Sequence, residues 1–354
     1  VSAYDIDEYD DVRHEHIDAD AIRRRREPDG RGGWITLGIV LIALFITIRL
    51  VAQAANIEIG EPLRDFFTLS ISVVVESLPF VFLGILLSIF VQIWLPENFL
   101  LKRLPRNPFL RRMVLSLLGV LFPVCECGNM PLARGLMLKG LSTADAITFL
   151  LAAPILNPIT IITTYQAFGW NDGILISRII GGFVIANLVG MLISRHPKPD
   201  SLITPGFQAA CANQGHGHDQ GRRTTRSVRA FAEESSAMLP ALFIGSAIAG
   251  AIQVGIPRDF LVALGSNPML SVIALVLLAF VISICANVDA FFILSFGASF
   301  MPGGIVAFLV FGPMIDIKML TLMRTTYTTR ALVLITALVA AGAIILGLAV
   351  NLLA

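Results

Sequence analysis

Charge is scarce in this sequence. Asp, Glu, Lys and Arg make up 14% of its 354 residues, where a soluble domain carries about a quarter. With 56% apolar residues and a mean hydropathy of +0.79, that scarcity excludes an ordinary soluble globule. Cysteine is scarce too. Of the four, Cys125, Cys127 and Cys285 lie inside apolar runs and Cys211 lies in a polar stretch, which excludes a disulfide framework. No phosphate-cradling Gly loop, no dinucleotide fingerprint and no hydrolase triad is present, so the expectation is no enzyme and no cofactor. The net charge of +1 says nothing about partners, because charge here is sorted by loop, and no nucleic-acid partner is expected.

What the chain does have is long apolar runs. They cover roughly 34–52, 66–95, 113–138, 141–168, 173–194, 231–255, 267–298, 303–323 and 331–353. About 20 helical residues cross a hydrocarbon core of roughly 30 Å, so the fold class is all-α integral membrane. Two runs are interrupted: one at Pro123–Pro131 and one at Cys285–Asp289. Residues 1–32 are acidic and then basic, without apolar periodicity, and read as a disordered cytoplasmic tail. Residues 34–52 are long for a signal-peptide core and read as a retained span.

Positive charge sets the expected orientation. Arg23–Arg26 in the tail, Lys102–Arg112 after the second span, and the 195–230 loop with Arg195 and Arg222–Arg229 all belong in the cytoplasm. So does a basic loop holding Lys318, Arg324 and Arg330. The loop at 53–65 carries Glu58, Glu61 and Asp65 against Arg64 and belongs outside. Three apolar segments between Arg112 and Arg195 must then make an even number of crossings. The broken segment 113–138 has arms of about a dozen residues, about 18 Å each, which reach the midplane but do not cross. It therefore enters and returns on one side, and 267–298 does the same in the second half. The expectation is seven spans plus two re-entrant broken-helix hairpins; nine full spans is the alternative. Trp34, Trp94 and Trp170 fall at span ends, as interfacial indoles do.

The two halves repeat each other. Leu78–Gly84, Gln92, Pro96 and Phe99 recur as Leu239–Gly245, Gln253, Pro257 and Phe260, an offset of about 161 residues. Cys125 lies over Cys285, and Pro154–Asn157 over Pro313–Asp316. Three crossings per repeat make the repeats inverted, an arrangement that places substrate between them near the midplane. The expected organisation is the tail at 1–32, an extra span and outer loop at 33–65, repeat 1 at 66–194, a cytoplasmic loop at 195–230 and repeat 2 at 231–354.

Polar residues at the breaks carry the chemistry. Cys125-Glu126-Cys127 puts two thiols and a carboxylate at one tip, with Cys285 as a third thiol from the other. Thiolates suit Zn(II), Cu(I) and trivalent arsenic, and small buried cysteines are the bland alternative. Glu126, Asp289 and Glu76 are intramembrane carboxylates and candidate proton-coupling groups. The plainer reading makes them fixed ion pairs, with Arg134 as the partner in view. Asn129 and Asn287 are candidate half-helix caps. Asn157 and Asp316 follow prolines that free backbone carbonyls, and either bond them or touch substrate. His216 and His218 read as part of a flexible linker. The expected function is a plasma-membrane, multi-pass permease with a cytoplasmic N-terminus. It would move a soft, thiol-binding solute by alternating access, driven by an ion gradient or a partner. A transmembrane thiol–disulfide carrier using Cys125 and Cys285 is the alternative.

The run Phe122–Gly140, the stretch Phe149–Pro158 and the stretch Phe308–Asp316 together resemble a bacterial family of predicted permeases that includes organoarsenical efflux permeases. The resemblance covers roughly 66–354, and its Cys-x-Cys tip falls on Cys125 and Cys127. Glu126 and Gly128 stand where the arsenical exporters have small hydroxyl residues, and Asn157-Pro158 where they have Asn-Val. The chain is closer to a branch that accompanies a small membrane-anchored partner protein. Membrane lipid and a small solute or ion are the other partners expected, together with a second copy of the chain.

Overall fold

Proline and glycine cut the apolar runs into helices whose lengths decide what each does. A computed structural model describes residues 61–96, 103–121, 125–170, 173–213, 223–255, 268–295 and 300–353. The tail, the 34–52 span with Trp34, Pro123-Val124, the His216/His218 segment and the Arg258-Asp259 loop lie outside the described residues. The helices are α1 (Glu61–Ile89), α2 (Pro108–Leu121), α3 (Glu126–Leu138), α4 (Thr143–Ala152), α5 (Pro158–Phe168), α6 (Ile174–Ser194), α7 (Pro205–Asn213), α8 (Arg223–Gly255), α9 (Pro268–Ile282), α10 (Asp289–Leu294), α11 (Pro302–Met314), α12 (Ile317–Met323) and α13 (Thr329–Leu353). The protein is all-α and integral to the membrane. Among the described residues, five stretches are long and apolar enough to cross: 62–94, α6, α8, 302–323 and α13.

Polar contacts order the ends of these helices. At one end, Thr204 N donates to Thr326 O and Thr328 N to Leu202 O, at 2.8 and 2.9 Å. This pairing ties the exit of α6 to the start of α13. Arg134, near the close of α3, reaches the same turn through Thr326 Oγ1 at 2.7 Å and Thr325 O at 3.3 Å. Arg111 Nε on α2 lies 2.7 Å from Asp145 Oδ2 on α4, so α2 begins beside the segment that follows α3. At the other end, Gly303 N donates to Asn351 Oδ1 at 2.8 Å, near the close of α13. There Gly304 of α11 packs on Ser271 of α9. The first contact pairs 111 with 145 and the second pairs 271 with 304, the same repeat offset at the opposite end.

α2, α3 and α9 have 14, 13 and 15 residues, which is about 20 Å each and short of the roughly 30 Å of a hydrocarbon core. α4 and α5 together run from one end to the other, because α6 must cross back to bring Ser194 beside the α13 turn. Their break matches that between α11 and α12. Asn157 accepts from Ile159 N at 2.9 Å, and Asp316 accepts from Met319 N. Each is the N-cap of the helix it opens, with Pro154 and Pro313 three residues earlier.

Several boundaries differ from the sequence reading. Helix α8 starts at Arg223, inside the segment expected to be loop, and α7 adds another helix there. Arg112, expected in a loop, is buried on α2. Lys318, expected in a basic loop, is 1% exposed on α12. Charge counting assigned these residues to water, whereas both are buried and Lys318 is held inside the bundle by Glu126 and Asp316.

Small residues set the closest approach. A Cβ on Gly84 of α1 would overlap the backbone of Gly128 on α3, so only glycine permits that crossing. Gly206 on α7 has open space around it. Gly84→Val should therefore cost about 1–3 kcal/mol or more. It should lower the thermal midpoint of the detergent-solubilised protein or prevent its recovery, while Gly206→Ala leaves the midpoint unchanged.

Candidate functional site

Both chain breaks make the same turn. The carbonyl of Cys125 accepts from Gly128 N and Asn129 N, each at 3.1 Å; that of Cys285 accepts from Val288 N and Asp289 N, at 3.0 and 3.2 Å. In this register Asp289 corresponds to Asn129 and Asn287 to Cys127. Glu126 corresponds to Ala286, so the two tip carboxylates are not counterparts. Ser283, just before the second tip, has φ +52°, a left-handed conformation that a non-glycine residue holds only when its surroundings enforce it.

The first cluster gathers at the α3 tip. The metal-ligating atoms of Cys125, Glu126 and Cys127 all lie within 4.8 Å of one another. The Cys125 thiol is within hydrogen-bonding reach of the Cys127 and Cys285 thiols, and Cys285 Sγ lies 3.8 Å from Glu126 Oε2. All three cysteines are free thiols. Lys318 Nζ donates to Glu126 Oε1 at 3.1 Å and lies 3.9 Å from Asp316 Oδ2. Glu126, Asp316 and Lys318 are each 1% exposed. This donor set can hold a thiophilic cation: sulfur binds soft ions, and the adjacent carboxylate balances charge.

The second cluster lies where α5 and α10 meet, with α6 behind them. Arg178 grips Asp289 with two bonds, Nη1–Oδ1 at 3.0 Å and Nη2–Oδ2 at 2.6 Å. Thr164 accepts from Arg178 at 2.7 Å, and Thr160 donates to Asn287 at 3.3 Å. The fork geometry of the pair is the strong, oriented form of an ion pair.

The remaining site candidates divide. Asn129 and Asn287 do not cap the half-helices: the N-caps of α3 and α10 are Cys125 and Val288, without side-chain caps. Asn129 lies buried within α3. Arg134 is not the partner of Glu126. It pairs with Glu234 at 3.0 Å and stacks over Phe207. Glu76 is exposed on α1 within electrostatic reach of Lys318 and Glu126. Cys211 stands apart on α7, where burial pushes its thiol up against the opposing pull of Arg134.

A family model described as "Predicted permease" matches residues 62–352. The chain belongs to that permease family. It is 36% identical to UPF0718 protein YcgR of Bacillus subtilis, over 73% of this chain and 88% of that one. It is 32% identical to a Streptococcus mutans protein named "Putative two-component membrane permease complex subunit", over 73% and 86%. The match to UPF0718 protein YraQ of Escherichia coli is 28% over 36% of this chain and 35% of that one. No solved structure matches.

Sequence reasoning missed the two basic residues of this permease's polar clusters, Lys318 and Arg178, along with Thr160 and Thr164. A lone arginine inside the apolar run 173–194 was the available signal, because intramembrane charge is costly unless partnered. Lys318 was harder to see, since it precedes Arg324 and Arg330 and resembled the start of their loop. Breaking a buried pair strands a charge at a cost of about 3–5 kcal/mol. Arg178→Met should therefore sharply lower the permease's thermal midpoint in detergent. The double variant Arg178→Met with Asp289→Leu should recover much of that loss.

Proposed function

We propose that this permease moves a soft, thiol-binding solute by alternating access between two inverted repeats. The observation that carries the reading is the meeting of Cys125 and Cys127 from the first tip with Cys285 from the second around the buried Glu126. A site shared between the two halves is opened or closed by their relative motion, as alternating access requires. The short helices on either side of each tip, with ends returning to opposite ends of the bundle, support two re-entrant hairpins. The end that gathers Arg111, Arg134, Arg195 and Arg324 is the cytoplasmic one in this reading. The S. mutans relative's name supports a partner subunit for this chain as well.

The carboxylates act here as charge partners. Glu126 faces Lys318 and Asp289 faces Arg178, so flux follows the solute's own gradient. Neutral Gln or Asn at these positions should lower flux, and the flux that remains should respond to an imposed pH gradient no more than wild type. Exchange of a proton at either carboxylate would instead make wild-type flux track that gradient.

Cys125→Ser and Cys127→Ser should each weaken Cd(II) or Ag(I) binding to the purified protein by at least about tenfold, while Cys211→Ser leaves it unchanged. Undiminished binding in the Cys125→Ser/Cys127→Ser double variant would sink the thiol site. The contact of Cys125 with Cys285 also favours a second reading, thiol–disulfide electron transfer. A Cys125–Cys285 disulfide formed on mild oxidation and reopened by thioredoxin would support it, and failure to form would remove it.

A further inference from the structure

Lys318 is the one basic residue bound to the thiol cluster among the described residues, and it is held between two carboxylates. Its Nζ bonds Glu126 Oε1 at 3.1 Å and stands 3.9 Å from Asp316 Oδ2. Asp316 Oδ2 forms no hydrogen bond, although Asp316 itself is anchored by its cap to Met319 and faced by Ser283. The ammonium thus has one occupied seat and one adjacent, incompletely used seat on its own helix. The first seat is a carboxylate oxygen of the cluster that would bind cargo. Both carboxylates are 1% exposed, so neither can be left without a cation at low cost.

We propose that Lys318 is a tethered stand-in for a cationic substrate: it occupies Glu126 when the site is empty and moves onto Asp316 Oδ2 when a thiophilic cation loads. This rests on the thiol-site reading above and sharpens it. The substrate is a cation, because a neutral trivalent arsenical would have no need to displace the ammonium. The lysine remains charged throughout. In the empty carrier it keeps the Glu126 carboxylate neutralised while the halves rearrange, and so permits return without cargo. In the loaded carrier it neutralises the side chain that caps α12.

The three consequences differ in kind. Removing the ammonium removes a competitor, so cation binding tightens. Exchange of cation across the membrane uses only the loaded carrier, in which the cation covers Glu126 and Asp316 alone is uncompensated, so exchange is slowed but persists. Net uptake needs the empty carrier to return with Glu126 and Asp316 uncompensated, so it stops. A merely structural lysine would not divide these three readouts.

The test uses the full chain in liposomes with Cd(II) or Ag(I) as the probe. Equilibrium binding, exchange at equal cation on both sides, and net uptake into cation-free vesicles are each measured. Lys318→Met should bind the cation about tenfold tighter, retain exchange and lose net uptake; Lys318→Arg, which keeps a cation beside Glu126, should restore part of the net uptake that Lys318→Met loses. If Lys318→Met does not reach the membrane, Lys318→Met with Asp316→Asn carries the same expectation, because Asn still caps α12 and one buried charge is gone. Parallel loss of all three, or no change in any, would overturn the proposal. Wild-type binding that survives the Cys125→Ser/Cys127→Ser double variant would instead remove the thiol-site reading beneath it.

Discussion

Everything at the centre of this protein depends on Glu126 being buried with an ammonium at 3.1 Å. A lone carboxylate there would face a desolvation cost of several kcal/mol, and the tip that carries it could not stay inside the bundle. The partner comes from α12, in the other half of the chain. The Arg178–Asp289 pair has the reverse arrangement, with the cation from the first half and the anion from the second. Each half supplies the other with a counter-charge, so the halves cannot separate without exposing both pairs to water or to cargo. That dependence fits the proposed carrier better than a static pore.

The backbone prepares the same stage twice and the side chains furnish it differently. Both tips place a cysteine carbonyl under two N–H groups, and both broken helices restart on a polar N-cap after a proline. At the first tip the next residues are Glu126 and Cys127; at the second they are Ala286 and Asn287. One tip therefore reads as a binding site and the other as a latch closed by Arg178. Close packing through Gly84 and Gly128 holds the Cys125–Cys127 tip against α1, whose Glu76 lies within electrostatic reach.

Much of this is legible in the sequence. Polar residues in register within apolar runs located both tips, and Pro154 and Pro313 located both breaks. The membership of Cys125, Glu126 and Cys127 in one cluster followed from adjacency alone. The partners of the charges were not legible, because pairing across the halves depends on how short helices stack and leaves no periodic trace. Asp289 looked like the match of Glu126 because both are acidic and near a tip. The turn geometry makes Asn129 its counterpart and Arg178 its partner. Lys318 was assigned to water by the same positive-charge rule that placed its neighbours, since that rule reads sequence neighbourhood and not burial.

The central claim is that thiols from both halves meet on one cation. X-ray absorption at the zinc edge, on purified protein carrying one equivalent of Zn(II), reads that directly. The account predicts a first shell with three sulfur scatterers at about 2.3 Å, falling to two when Cys285 is replaced by serine. A shell of nitrogen and oxygen alone, or a sulfur count indifferent to Cys285, would contradict it.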